Sequence, residues 1–310
     1  MATIKKATVI GAGVMGSGIA AHLANAGLDV VLLDMEKKFA DGGVARQLKA
    51  NGFMDPAFAS RIATGSTKDD LALIADADWI VEAVAEKLEI KQTLYRAIDG
   101  VRKKGSIVSS NTSTIPLHSL VEGLPEGFAA DFLITHFFNP PRIMRLLELV
   151  SGKATKPEVT ATIRDFADRG LGKSVVVCKD TPGFIGNRIG NYWMVVAQNE
   201  AIELGLDVEE ADAIIGKPFG IPSTGIFGLL DLVGIDLMPT ILRSLQNATP
   251  EGDAVKDYDA EPALIARMIA ENRLGRKSGA GFVRLSPDRK SRDVTDLKTG
   301  EYRPQKAVSS

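Results

Sequence analysis

The chain predicts an α/β fold: a Rossmann-type, mainly parallel sheet domain followed by a smaller all-helical domain. Three observations carry this. Short apolar strands alternate with helical stretches from residue 7 to about residue 178, the pattern of parallel strands joined by crossover helices. The first strand runs directly into Gly11-Ala12-Gly13-Val14-Met15-Gly16, which opens a helix. After Thr181-Pro182-Gly183 the apolar residues recur at helix spacing only. The expected organisation is a dinucleotide-binding domain over 1–180, a helical substrate and dimerisation domain over 181–285, and a polar, hairpin-like tail over 286–310.

Bulk properties narrow the function. At 310 residues the chain is long for one hydrophobic core, so two domains are expected. Apolar content of 45% and charged content of 25% are ordinary for a globular protein. A net charge of −2 provides no electrostatic footprint for nucleic acid or a membrane surface. The single cysteine, Cys178, excludes an intrachain disulfide and, beside Val175-Val176-Val177, reads as a small core residue. No window approaches the ~18 apolar residues of a membrane span. Met1 to Lys6 leads straight into a strand without room for a signal peptide, so a cytoplasmic protein is expected. Three isolated histidines and one cysteine offer no metal site.

Ala7 to Ile10 is the first strand, and helical spacing follows through Ile19, Ala20, Leu23 and Ala24 to a stop at Gly27. The next strand, Val30 to Leu33, ends at Asp34, 18 residues past Gly16. A lone G-x-G-x-x-G is weak evidence; inside a βαβ unit with an acid at that distance it reads as a dinucleotide fingerprint. Gly11 permits the tight turn, Gly13 lets a pyrophosphate approach the backbone, and Gly16 lets the helix pack on the strand. The helix amides at Val14 and Met15 then face the phosphates. Asp34 would accept the ribose hydroxyls and repel a 2′-phosphate, which favours NAD over NADP. Lys37 and Lys38 weaken that discrimination unless they are solvated helix-start residues.

Residues 35 to 62 read as helical and polar, broken at Gly52-Phe53-Met54-Asp55-Pro56. Asp78 to Val84 is a buried strand running into a helix that opens at Glu86 to Lys91, and Ser106 to Ser110 is the next strand, ending in Asn111-Thr112-Ser113-Thr114. Glu86, Lys91, Ser113 and His136 all fall at or just after strand ends, the edge where ligands bind in such sheets. The plainer alternatives are an exposed Glu86/Lys91 pair and an N-cap cluster at Asn111 to Ser113.

Phe132 to His136 and Leu146 to Val150 read as strands separated by Asn139-Pro140-Pro141, which cannot continue a central ladder. If the second strand turns back, Glu148, twelve residues on, returns beside His136. A carboxylate there would hold the imidazole in one tautomer, as a general base requires. The alternative is a satisfied core histidine and an exposed glutamate.

A helix from Val159 to Ala167 and a strand from Ser174 to Val177 close the first domain. Beyond the Thr181-Pro182-Gly183 joint, helices are expected from Phe184 to Gly205 and over 208–215, 227–232, 237–245 and 263–269. Their apolar faces exceed what they could hide internally, which predicts a homodimer. Asn187, in the first turn of the long helix, could bond a substrate oxygen or stabilise the joint. Past Gly279-Ala280-Gly281-Phe282, Asp296 to Tyr302 reads as a turn between short strands, and Ala307 to Ser310 as a tail or a cut end.

With these motifs assembled, the chain resembles the L-3-hydroxyacyl-CoA dehydrogenase family over residues 5 to about 285. The matching stretches are Gly11 to Gly16, Ser110-Asn111-Thr112-Ser113, His136-Phe137-Phe138-Asn139-Pro140, Glu148, Thr181 to Phe184 with Asn187-Arg188, and Lys277 to Phe282. The resemblance implies that His136 is the base and Glu148 its orienter, and that Ser113 and Asn187 bind the reacting oxygen. It also implies that Glu86, Lys91, Asn139 and Lys277 contact NAD beside Asp34, with an acyl-CoA as substrate. Three departures stand out. Lys87 replaces the family's frequent asparagine, the Pro222 to Phe227 segment differs from the usual form, and the helical insertion after the second strand is short. Residues 8–26 and 217–240 look most like bacterial bifunctional proteins in which a dehydrogenase is followed by an enoyl-CoA hydratase, so a missing C-terminal hydratase region is a further expectation. A related sugar-acid dehydrogenase and a non-catalytic dinucleotide-binding protein are the rival readings.

Overall fold

The computed structural model describes residues 4–220, 224–286, 288 and 290–308. The chain divides into two compact units, Met1–Ile185 and Gly186–Ser310. The elements of the first are β1 (Lys6–Ile10), α1 (Val14–Asn25), β2 (Asp29–Asp34), α2 (Lys37–Lys49), β3 (Ile62–Ser66), β4 (Trp79–Glu82), α3 (Leu88–Asp99), β5 (Ile107–Ser110), α4 (Leu117–Val121), α5 (Glu126–Ala130), β6 (Phe132–Phe137), β7 (Leu146–Ser151), α6 (Pro157–Arg169) and β8 (Ser174–Cys178). They build one eight-stranded sheet in the order β3-β2-β1-β4-β5-β6-β7-β8. Every neighbouring pair is parallel except β6 with β7.

Apolar residues fill both faces, as a sheet covered on two sides requires. Val9, Leu32, Val81, Leu133 and Leu149 lie on one face with Ile19 and Leu23 of α1. Their strand neighbours Ile10, Val31, Leu33, Ile80, Ile134 and Val150 lie on the other, with Tyr95 of α3. The period of two in a strand is what sends adjacent residues to opposite cores.

β3 was not expected from the sequence. Its residues Ile-Ala-Thr-Gly-Ser carry little strand propensity; what makes it a strand is a parallel ladder with β2, from Val30 opposite Ile62 to Asp34 opposite Ser66. As an edge strand it needs only one partner.

The second unit contains α7 (Gly186–Glu203), α8 (Val208–Ile214), α9 (Phe227–Val233), α10 (Leu237–Ala248) and α11 (Ala263–Ala270), followed by β9 (Val283–Leu285), β10 (Arg292–Thr295) and β11 (Tyr302–Pro304). The three strands form an antiparallel sheet in the order β11-β10-β9. This unit is therefore not all-helical. Phe282, Val294 and Leu297 pack in one core with Phe227, Leu230 and Met268, so the stretch read as a polar tail buries apolar side chains that the helices need. The Arg303 guanidinium also bridges Asp207 and Glu209 at the start of α8, each at 2.7 Å. Of the Pro222 to Phe227 segment, residues 222 and 223 lie outside the described residues, as do 309 and 310 of the terminal stretch.

Candidate active site

The switch in strand order between β1 and β4 opens a crevice at the carboxyl ends of the parallel strands. The glycine turn occupies it. Gly11 has φ of 102°, and a side chain there would strike the Ala83 carbonyl at 2.4 Å. A Cβ at Gly16 would meet the Gly11 carbonyl at 1.8 Å, so α1 can start this close to the strand only without one. At Gly13 the position of a Cβ has nothing within 4 Å. That open space lies at the start of a 12-residue helix that no side chain caps, which fits a pyrophosphate drawn to the helix N-terminus. Val14, more than half exposed, and Met15 begin that helix.

Asp34 ends β2 with its carboxylate tied to the same turn: it accepts from the Ala12 amide at 2.6 Å and from Met35 N at 2.7 Å. Lys37 and Lys38 are engaged elsewhere, with Asp41 at 2.8 Å and Glu36 at 2.7 Å. Neither neutralises the charge that would meet a 2′-phosphate. The donor set and the open space fit NAD.

Across the crevice, the antiparallel register sets Glu148 of β7 directly opposite His136 of β6. His136 Nδ1 lies 2.7 Å from Glu148 Oε2. The ring is buried between Phe138 and Phe184, with centroids at 4.6 and 5.7 Å. Glu148 is fully buried, and its Oε1 accepts from Ile185 N at 2.9 Å. Cys178 Sγ, at 3.8 Å, also faces Oε1; burial, then the Glu148 charge, push its thiol up to about 11. With the carboxylate ionised it can only accept, so Nδ1 would be the ring nitrogen that donates to it, and Nε2 the one left without the proton.

Glu86, Lys91 and Ser113 converge on a second cluster. Lys91 Nζ lies 2.7 Å from Glu82 Oε1 and 3.1 Å from Glu86 Oε2, in a side chain only 1% exposed. Lys91 is thus a buried strut, not one half of an exposed surface pair. Glu86 Oε1 accepts from the Thr112 hydroxyl, the Ser113 amide at 3.2 Å and the Thr114 hydroxyl at 3.0 Å. Burial opposes its ionisation, but the Lys91 charge and these hydroxyls outweigh it and hold the carboxyl below its usual range. The carboxylate therefore shapes the loop that presents Ser113.

Glu82 was overlooked in the sequence. It is fully buried and binds Lys91, Val84 N at 2.7 Å, and the Tyr95 and Ser110 hydroxyls at 2.6 Å each. The available signal was a charged residue closing the apolar run Trp79-Ile80-Val81, since a charge buried there needs partners. Asn111 is also informative: its side-chain oxygen accepts from Phe137 N at 2.9 Å and ties the end of β5 to the end of β6. Asn139 is exposed in the loop that follows. The other two candidates belong to the second unit. Asn187 is half-buried in the first turn of α7, and Lys277 pairs with Asp236 at 2.5 Å.

Comparison with known proteins follows the same division of the chain. Residues 6–181 match the family model of the 3-hydroxyacyl-CoA dehydrogenase NAD binding domain, and residues 183–285 that of the 3-hydroxyacyl-CoA dehydrogenase C-terminal domain. The chain belongs to the 3-hydroxyacyl-CoA dehydrogenase family. Within this family of oxidoreductases its cofactor is NAD. A Deinococcus radiodurans protein described as a 3-hydroxyacyl-CoA dehydrogenase is 42% identical, over 93% of this chain and 85% of that protein. A Rickettsia felis protein described as a trifunctional enzyme of a fatty acid oxidation complex is also 42% identical, over 96% of this chain. The chain spans 43% of the length of that relative. The crystal structure of (S)-3-hydroxybutyryl-CoA dehydrogenase from Ralstonia eutropha superposes with a TM-score of 0.76 at 31% identity, covering 90% of this chain and 98% of that one.

Proposed function

We propose that this 3-hydroxyacyl-CoA dehydrogenase family member oxidises (S)-3-hydroxyacyl-CoA to 3-oxoacyl-CoA in fatty acid β-oxidation, with His136 as general base. The carrying observation is the 2.7 Å contact between His136 Nδ1 and a fully buried Glu148 at the sheet edge that also holds the glycine turn. In this reading Nε2 takes the proton of the substrate's 3-hydroxyl as the C3–H bond breaks. NAD, when bound, supplies the hydride acceptor. Glu148 keeps the imidazole in one tautomer and stabilises the imidazolium that forms. Ser113 holds the reacting oxygen from the Glu86-ordered loop, and Asn187 keeps the contact with that oxygen which the family resemblance implies. Gly11, Gly13, Gly16 and Asp34 hold the adenosine half of NAD. Asn139, Glu86, Lys91 and Lys277 act on its ribose and nicotinamide side, Lys91 by fixing Glu86. The experiment is a steady-state assay following NADH absorbance with 3-hydroxyacyl-CoA substrates of increasing chain length and with hydroxylated sugar acids. Turnover confined to the sugar acids, or to none, would refute the reading.

Three wider proposals attach to it. The second unit exposes Ile189, Leu204, Ile214, Leu232 and Leu237, which supports a homodimer; a monomer in sedimentation at high concentration would refute that. The trifunctional relative, of which the chain spans 43%, supports a hydratase activity on the same polypeptide. No helix among the described residues is long and apolar enough to cross a membrane, and we place the enzyme in the cytoplasm.

A further inference from the structure

Directly after the proposed base, the chain leaves β6 through Phe137-Phe138-Asn139 and makes a single helical turn over 140–144. The amides of Ile143 and Met144 both bond the Pro140 carbonyl, at 3.0 and 2.9 Å. So short a turn leaves its last carbonyls without helical partners. Lys173, from the connection between α6 and β8, takes two of them. Its ammonium donates to the Pro141 carbonyl and to the Met144 carbonyl, the latter at 2.7 Å. The same nitrogen stands 5.7 Å from the centroid of Phe137, the residue next to His136.

On its other side the turn rests on α1. A Cβ added to Gly18 would lie 2.9 Å from Pro141 Cδ and 3.1 Å from Cγ. One helical turn further along α1, the buried His22 faces Lys173 and Arg142. Burial first, then these two charges, hold His22 down at about 4, so it is neutral and adds no charge beside the ammonium.

The character of Lys173 suggests more than packing. It is 3% exposed, and an apolar chain of the same length would fill the space without taking a charge out of water. Burial pushes its pKa down to about 8, which shows that the charge is kept at a cost.

We infer that Lys173 is a positioning residue for the reaction: it clamps the 140–144 turn against Gly18 and thereby sets Asn139 and the end of β6 relative to the glycine turn, which leads into the same first half of α1. The inference rests on the dehydrogenase reading above. Misplacing reacting groups by about an ångström costs up to ~10²-fold in rate without abolishing binding. The glycine turn and Asp34, which hold the rest of the cofactor, do not depend on the clamp.

Two variants of the full chain test it from opposite sides. K173M removes the clamp, and G18A pushes Pro141 from the α1 face while leaving Lys173 intact. Each is assayed with (S)-3-hydroxybutyryl-CoA and NAD, and NADH dissociation constants are read from nucleotide fluorescence. The expected result is a fall in kcat on the order of ten-fold or more in both, with NADH affinity within about three-fold of wild type. A purely structural role would lower the melting temperature and leave kcat per folded molecule in place. Turnover within two-fold of wild type in both variants overturns the inference, as does a parallel loss of kcat and NADH affinity. Should K173M fail to fold, G18A decides alone. A wild-type chain that turns over no 3-hydroxyacyl-CoA is a separate result, and it removes the dehydrogenase reading together with this one.

Discussion

Two carboxylates, Glu82 and Glu148, are fully buried at the same sheet edge, three strands apart, and the proposed mechanism gives them opposite tasks. Both hold a basic side chain at 2.7 Å. Glu82 holds an ammonium that a second carboxylate, Glu86, also grips, and its own oxygens take two hydroxyls and an amide besides. Such a cluster is saturated and therefore rigid. Glu148 holds an imidazole, which has two nitrogens: one can be gripped while the other reacts. On the proposed mechanism, the difference between a structural ion pair and a catalytic one lies in the partner, not in the carboxylate.

Substitution can break this comparison. The largest effect is expected at the base. H136Q should lower kcat by ~10²–10⁴-fold, the usual share of general acid–base catalysis, with NADH affinity little changed. A normal turnover number for that variant would take His136 out of the mechanism. Next comes E82Q, which breaks a buried pair and should destabilise the fold by about 3 kcal/mol, read as a lower urea midpoint. Its kcat per folded molecule should stay within a few-fold of wild type. If E82Q behaved like H136Q, with stability intact and turnover gone, the proposed division of labour would be wrong. A smaller effect is expected at Asp34. D34A should weaken NADH about ten-fold, the worth of one charge-assisted hydrogen bond, and leave kcat at saturation nearly unchanged. Undiminished affinity would show that Asp34 serves only the Ala12 amide.

How much of this could be read from residues alone follows from the range of the forces involved. The glycine turn was legible because strand, turn, helix and acid lie within a short stretch and each has its own local requirement. His136 and Glu148 were legible as a pair only on the condition that the second strand reverses, which the two prolines permit but do not dictate. β3 was not legible, because its pairing with β2 rather than its own composition makes it a strand. Glu82 was hidden in an apolar run, although a buried charge there should have raised the question of its partners. Lys173 was out of reach: its significance comes from carbonyls about 30 residues away, and no local pattern marks a side chain that caps another segment's turn. In the second unit the hairpin around Asp296 to Tyr302 was legible from its turn residues, but its packing was not: nothing local shows that Val294 and Leu297 lie in a core with the helices.

Asp212 extends the comparison to a carboxylate with no cation partner among the described residues, and yields the mildest prediction. It lies on α8 and accepts from Phe227 N at 2.7 Å and Gly228 N at 3.2 Å at the start of α9. Burial, against the pull of those amides, pushes its carboxyl up from 3.8 to about 6. Between those values the folded chain holds a proton that the unfolded chain has lost. The contribution of this group to stability is therefore fully present below about pH 4 and is lost as pH rises through about 6. Other acids such as Glu209, held at about 2 chiefly by Arg303 against the opposing effect of burial, slope the other way. Only the difference between wild type and D212N isolates Asp212. That difference should move in the variant's favour by on the order of 1–2 kcal/mol between pH 4 and pH 7, read from urea midpoints at each pH. A difference that does not vary with pH would mean that the amides at α9 alone keep the Asp212 carboxylate charged despite its burial.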